Sequence, residues 1–128
     1  MSNMTHRILV IDDEVNICTL MERILTMEGY EVGQATNQQE ALELFDREHW
    51  DLLLLDVYMP EISGWKLAAM LRDRKPEVRR CFMTARIDAA YDEAVTEGLI
   101  HSYMYKPFSF EDVRVLVRDT LDMGDTGA

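Results

Sequence analysis

Basic residues are scarce in this chain: 13 Lys and Arg stand against 24 Asp and Glu, giving a formal charge of −11. Neutralising phosphates requires clustered Lys and Arg, so this balance argues against nonspecific binding of nucleic acid by the chain itself, and any contact with DNA is expected from a partner. Long apolar runs are missing too. The longest uninterrupted leucine stretch is Leu52 to Leu55, far below the roughly 18 residues of a membrane span. Met1 to Arg7 lacks a signal-peptide core, and the expected compartment is the cytoplasm. Only two cysteines are present, Cys18 and Cys81, without the spacing of a metal site or redox pair, so both are expected to be small buried hydrophobes. His6, His49 and His101 are scattered with no second ligand at helical spacing, which argues against a transition metal.

What is there fits one domain. A chain of 128 residues, 48% apolar and 29% charged, can bury roughly two thirds of its unfolded surface without a staple. Short apolar runs alternate five times with amphipathic stretches, the pattern of an α/β fold with a parallel sheet covered on both faces by helices. The first pair is Ile8 to Ile11 followed by a helix from about Glu14 to Met27, with Ile17, Leu20, Met21, Ile24 and Leu25 inward and Gly29 as its stop. A strand over Glu31 to Ala35 precedes a helix carrying Ala41, Leu42 and Phe45. Either Thr36 with Gln39 or Asn37 with Glu40 supplies its capping box. The third strand, Asp51 to Asp56, leads through Pro60 and Gly64 into a helix with Leu67, Met70 and Leu71 inward, which Pro76 stops. The fourth, about Val78 to Thr84, begins with Arg79 and Arg80, expected near its solvent end. Its helix, about Asp88 to Glu97, offers only Ala90, Ala94 and Val95 as an inner face and should be loosely held. Ser102 to Tyr105 is the fifth strand. A last helix from about Phe110 to Met123 is capped by Ser109 and packs through Val113, Leu116, Val117 and Leu121. The expected division is a tail over 1–5, a domain over 6–123 and a tail over 124–128.

Chemistry enters through position. Asp12 and Asp13 alone could cap a helix, Asp56 could be a turn residue, Thr84 a β-branched strand residue, and Lys106 a surface lysine held extended by Pro107. Yet all lie at the carboxyl ends of strands one, three, four and five. In a parallel sheet those ends share the rim where open α/β sheets bind ligands. Carboxylates crowded there repel by roughly 1 to 4 kcal/mol per pair at about 4 Å, unless a cation sits among them.

Four segments in this order, Ile11-Asp12-Asp13-Glu14, Leu55-Asp56-Val57-Tyr58-Met59-Pro60 with Gly64, Met83-Thr84-Ala85, and Tyr103-Met104-Tyr105-Lys106-Pro107-Phe108, carry a resemblance to the response-regulator receiver domains of two-component phosphorelay signalling. The resemblance runs from about His6 to Met123. It implies a flavodoxin-like, doubly wound five-stranded parallel sheet of order 2-1-3-4-5. It also implies that Asp56 takes a phosphoryl group from a phosphohistidine on a sensor kinase or phosphotransfer protein. Asp12, Asp13, Asp56 and the Tyr58 carbonyl would hold Mg²⁺, Asp12 mainly through water. Lys106, the Thr84 hydroxyl and the Ala85 amide would contact the phosphoryl oxygens. The bond before Pro107 would be cis. Thr84 and Tyr103 would form the switch, altering a surface of helix four, strand five and helix five that meets a downstream protein, an output domain or a second copy. The domain is then a signalling switch that catalyses its own phosphorylation and dephosphorylation, not a metabolic enzyme. Tyr58 and Arg86 flank the site where bulk would slow hydrolysis. Ser102 and Leu99 depart from the usual pattern, as do Arg79 and Arg80, and leave partner surface and dimer geometry open.

Three other classes compete. A flavodoxin-like cofactor binder needs a Ser/Thr/Gly-rich phosphate loop after strand one, where Asp12-Asp13-Glu14 would repel a flavin phosphate. An aspartyl phosphatase needs a second acid two residues after its nucleophile, and Val15 stands at that spacing from Asp13. An inactive receiver-like scaffold would bind protein without the chemistry, against which Asp12, Asp13, Asp56, Thr84 and Lys106 argue together. No output module follows Met123, so a free-standing regulator and a receiver cut from a larger protein are both compatible with the sequence.

Overall fold

The computed structural model describes residues 5–85 and 89–123. Arg86, the expected helix start at Asp88, the Ala90 side chain, and the stretches 1–4 and 124–128 lie outside what is described. Five parallel strands, β1 (Arg7–Ile11), β2 (Glu31–Ala35), β3 (Leu52–Asp56), β4 (Arg79–Thr84) and β5 (Ser102–Tyr105), form one sheet of order β2-β1-β3-β4-β5. The register runs Ile8 beside Leu52, Leu54 beside Cys81 and Phe82 beside Tyr103. Five helices alternate with them: α1 (Val15–Met27), α2 (Gln38–Arg47), α3 (Gly64–Arg74), α4 (Ala89–Thr96) and α5 (Phe110–Asp122).

Continuous apolar strands arise because both faces of this sheet are covered. Leu9, Ile11, Leu53, Leu55 and Phe82 pack with Ala41, Phe45, Leu67, Leu71 and Ala94 from α2, α3 and α4. Their alternating neighbours Ile8, Val10, Leu52, Leu54 and Met83 pack with Cys18, Met21, Val113 and Val117 from α1 and α5. Side chains on a strand alternate sides, so each four-residue run feeds two cores. Both cysteines are buried and free.

Helix ends follow their local chemistry. Gly29, at φ +93°, ends α1, and its N–H donates to the Thr26 carbonyl. Asn37 caps α2 by accepting from the Glu40 N–H, while the Glu40 carboxylate reaches back to Thr36. Ser109 and Asp112 close a full capping box on α5.

Three packing expectations need correction. Leu20 is exposed and Cys18 takes the inward place on α1. Val95 is exposed as well; the inner face of α4 is Tyr91 with Ala94, because an aromatic ring bridges the gap that two small residues would leave. Arg80 is only 3% exposed instead of lying at the solvent end. Its guanidinium donates to the carbonyls of Pro76, Val78, Gly98 and Leu99, which satisfies a buried cation with main-chain oxygens and ties the end of α4 to the start of β4.

His101 extends this anchor. Its Nδ1 accepts the Arg80 N–H at 3.0 Å. Burial, then the charges of Arg80 and Arg79, lower its pKa to about 4. A base held neutral when folded binds fewer protons than the unfolded chain, so stability falls as pH drops from about 6.5, the ordinary His value, toward 4, by up to ~1.4 kcal/mol per unit. His101→Asn keeps an acceptor without a titrating ring. Urea unfolding at pH 7.5 and pH 5 should show wild type losing more stability than this variant over that interval; equal losses would contradict the assignment.

Candidate functional site

β1, β3, β4 and β5 lie side by side and parallel, so whatever leaves their carboxyl ends is brought to one rim. Asp12 directly follows β1, Asp56 is the last residue of β3, Thr84 ends β4 and Lys106 follows β5. Main-chain bonds hold these ends in register: Asp12 N–H to the Ala35 carbonyl, Val57 N–H to Met83, and Lys106 N–H to Thr84. The peptide bond between Lys106 and Pro107 is cis, as the resemblance implied.

Gly64 sets the wall beside Asp56. Its N–H donates to the Val57 carbonyl at 2.7 Å. A Cβ at this position would come within 2.4 Å of the Asp56 carbonyl oxygen and 2.6 Å of Val57 Cα, so α3 starts against the β3 main chain only because this residue is glycine.

One carboxylate oxygen from each of Asp12, Asp13 and Asp56 lies within 4.8 Å of the others. Asp12 and Asp56 are buried, and Asp13 is the most accessible of the three. Asp12 accepts the Glu14 N–H through Oδ1 and the Lys106 ammonium through Oδ2, both at 2.9 Å. The same Nζ lies 3.5 Å from Asp56 and 3.6 Å from Glu14. Asp56 also accepts the Tyr58 N–H at 3.3 Å.

Electrostatics report the crowding. Burial, with Asp12 next to it, raises the Asp56 pKa to about 6 against the pull of Lys106. Burial raises that of Asp12 too, opposed by the Glu14 N–H and Lys106. For Lys106, burial lowers the pKa, but the hydrogen bond to Asp12 and the charges of Asp12, Asp56 and Glu14 outweigh it and the net shift is upward. One ammonium thus faces Asp12 and Asp56 of the cluster and Glu14 besides.

This donor set fits a hard divalent cation. All three ligands are carboxylate oxygens, two of them buried and charged at neutral pH only against desolvation, and an oxygen-rich, partly open site suits Mg²⁺. No His or Cys joins the cluster among the described residues, which disfavours zinc.

Asp13, Glu14, Asp56, Tyr58, Ala85 and Lys106 line a small open cleft over the carboxylates. Tyr58 is 49% exposed at its edge. Thr84 is at the same sheet end but has no exposed surface, and its Oγ1 accepts from the Tyr91 hydroxyl on α4. Tyr103 stands one strand over, its hydroxyl donating to Asp92 at 3.1 Å. Tyr91 is the residue at this end of the sheet that apolar periodicity does not single out. The signal was the sole aromatic in a helix otherwise poor in large apolar groups.

Known proteins share this fold. The alkaline phosphatase synthesis transcriptional regulatory protein PhoP of Bacillus subtilis is 35% identical over 126 residues, covering 98% of this chain and 52% of PhoP. The chain spans about half the length of the curated relatives it matches. Among solved structures, a CheY-like receiver domain protein of Methanospirillum hungatei superposes with a TM-score of 0.88 at 25% identity, covering 98% of this chain and all of that one. The response regulator TrrA of Thermotoga maritima, solved in complex with Mg²⁺ and BeF, gives 0.79 at 35% identity, covering 91% and 99%. The family model for the response regulator receiver domain matches residues 8–118. With that match over most of its length and the same fold in solved receiver domains, the chain belongs to the response-regulator receiver domains.

Proposed function

We propose that Asp56 accepts a phosphoryl group from a phosphohistidine on a sensor kinase or phosphotransfer protein. An Asp56 carboxylate oxygen bonds to phosphorus, the P–N bond breaks, and the imidazole leaves with its electron pair and takes a proton. The observation that carries this reading is the cluster itself: Asp56 is the strand-end carboxylate that has Lys106 at 3.5 Å and two further carboxylates within 4.8 Å. Phosphoryl transfer passes through a loose transition state in which positioning and charge neutralisation supply most of the catalysis. Mg²⁺ bound by Asp12, Asp13, Asp56 and the Tyr58 carbonyl would supply positive charge beside the phosphoryl oxygens. Lys106 supplies a second positive charge, already aimed into the cleft by Asp12. The Ala85 amide and Thr84 hydroxyl donate to the remaining oxygens. Tyr58, half exposed at the cleft edge, screens the phosphoryl group from water. The cation and Lys106 promote the domain's own phosphorylation and the later attack of water on the phosphoryl group, and Tyr58 slows the latter.

Output follows from the same charge. A phosphoryl group adds about −2 in place of a single carboxylate charge and draws Thr84 and Lys106 toward it. Thr84 ends β4 and Lys106 follows β5, so their movement reaches Tyr103 and the α4, β5 and α5 surface, which meets a downstream protein, an output domain or a second copy. At a charge of −11, contact with nucleic acid is made by such a partner or module in the cytoplasm.

Acetyl phosphate with Mg²⁺ should give wild type acid-labile phosphate near one per chain and Asp56→Asn almost none. Equal labelling of the two would move the acceptor elsewhere, and no labelling of wild type would favour an inactive scaffold. Tyr103→Ala should label normally yet lose most of its partner response; a full response would remove Tyr103 from the switch.

A further inference from the structure

Helix α4 presses a buried hydroxyl against Thr84 that the reaction outlined above does not use. Tyr91 is 1% exposed, and its O–H donates to Thr84 Oγ1 at 3.0 Å within the core. Its ring is held from three sides, with centroid distances of 5.0 Å to Trp65, 6.2 Å to Phe82 and 5.6 Å to Tyr103. A ring so confined fixes its hydroxyl in one place, and Thr84 Oγ1 is turned to it. The cleft walls, by contrast, are Asp13, Glu14, Asp56, Tyr58, Ala85 and Lys106. Thr84 has one side-chain torsion with staggered wells, so facing the helix and facing the cleft call for different wells.

We propose that Tyr91 is a positioning residue that holds Thr84 in its resting rotamer, so that engagement of a phosphoryl group on Asp56 requires release of the Tyr91–Thr84 hydrogen bond. The proposal rests on Asp56 being the acceptor. It makes α4 a direct partner of the site: the bond that Thr84 gives up is one that tethers this helix, and Tyr103, packed on the same ring, feels the loss. Occupancy of the cleft and freedom of α4 are then two readings of one event. The ring itself stays buried in both states, because its apolar contacts with Trp65 and Phe82 do not depend on Thr84.

Tyr91→Phe removes the hydroxyl and keeps the ring. Beryllofluoride with Mg²⁺ serves as the phosphoryl stand-in, and calorimetric titration of the full chain reads its affinity. The variant should bind beryllofluoride about five-fold more tightly than wild type, the weight of one neutral hydrogen bond of roughly 1 kcal/mol, with unchanged affinity for Mg²⁺ alone. In a Thr84→Ala background, the same substitution should change nothing. Equal or weaker binding by Tyr91→Phe, or the same gain without Thr84, overturns the role of Tyr91 and leaves Asp56 as acceptor. Failure of wild type itself to bind beryllofluoride would sink the acceptor reading and the Tyr91 role with it.

Discussion

Three carboxylates held within 4.8 Å of one another, two of them buried, are the constraint around which the rest of this domain is arranged. Left in water they would separate. Here each is pinned to the end of a strand or to the residues just after it, and the strands are fixed by two cores that cover both faces of the sheet. Burial of apolar strands therefore stabilises a local arrangement that electrostatics opposes. Lys106 offsets part of the repulsion, while burial first and the neighbouring Asp12 second still push the Asp56 pKa up to about 6. A site that stays short of positive charge is ready for a cation and for a reaction that brings further negative charge with a cation beside it.

The opposite end of the sheet and the edge carrying α4 obey different rules. Arg80 fixes the carboxyl end of α4 through main-chain oxygens, a connection without a carboxylate and so insensitive to charge at the rim. Toward its start, α4 is joined to the site by the Tyr91 hydroxyl. One end of the helix is thus anchored to the frame and the other to Thr84 at the rim.

Much of this was legible in the chain. Four apolar residues in a row between turn signals imply strands buried on both faces, and acidic, hydroxyl and ammonium groups at strand ends imply a shared rim. Capping chemistry also placed Ser109 and Gly29 at helix ends and left Thr36 and Asn37 as alternatives at the start of α2. The remainder depended on contacts that periodicity does not encode. Arg80 looked like a solvent-facing charge because nothing in a linear sequence reveals four carbonyls converging from two loops. Leu20 and Val95 sat at helical spacing with inward residues, yet packing admitted Cys18 and Tyr91 instead. Gly64 was expected in the loop and instead opens α3, and its need to lie against the β3 main chain appears only in three dimensions.

The central claim is that the carboxylates are gathered at a cost which a divalent cation relieves. Urea unfolding of wild type and Asp56→Asn, each with and without Mg²⁺, measures it. Without metal, removing one buried charge should make Asp56→Asn the more stable protein. Saturating Mg²⁺ at about 100 times its dissociation constant should then raise wild type by about 2.7 kcal/mol and the variant by less. A wild type that is the more stable without metal, or that gains nothing from Mg²⁺, would contradict the account.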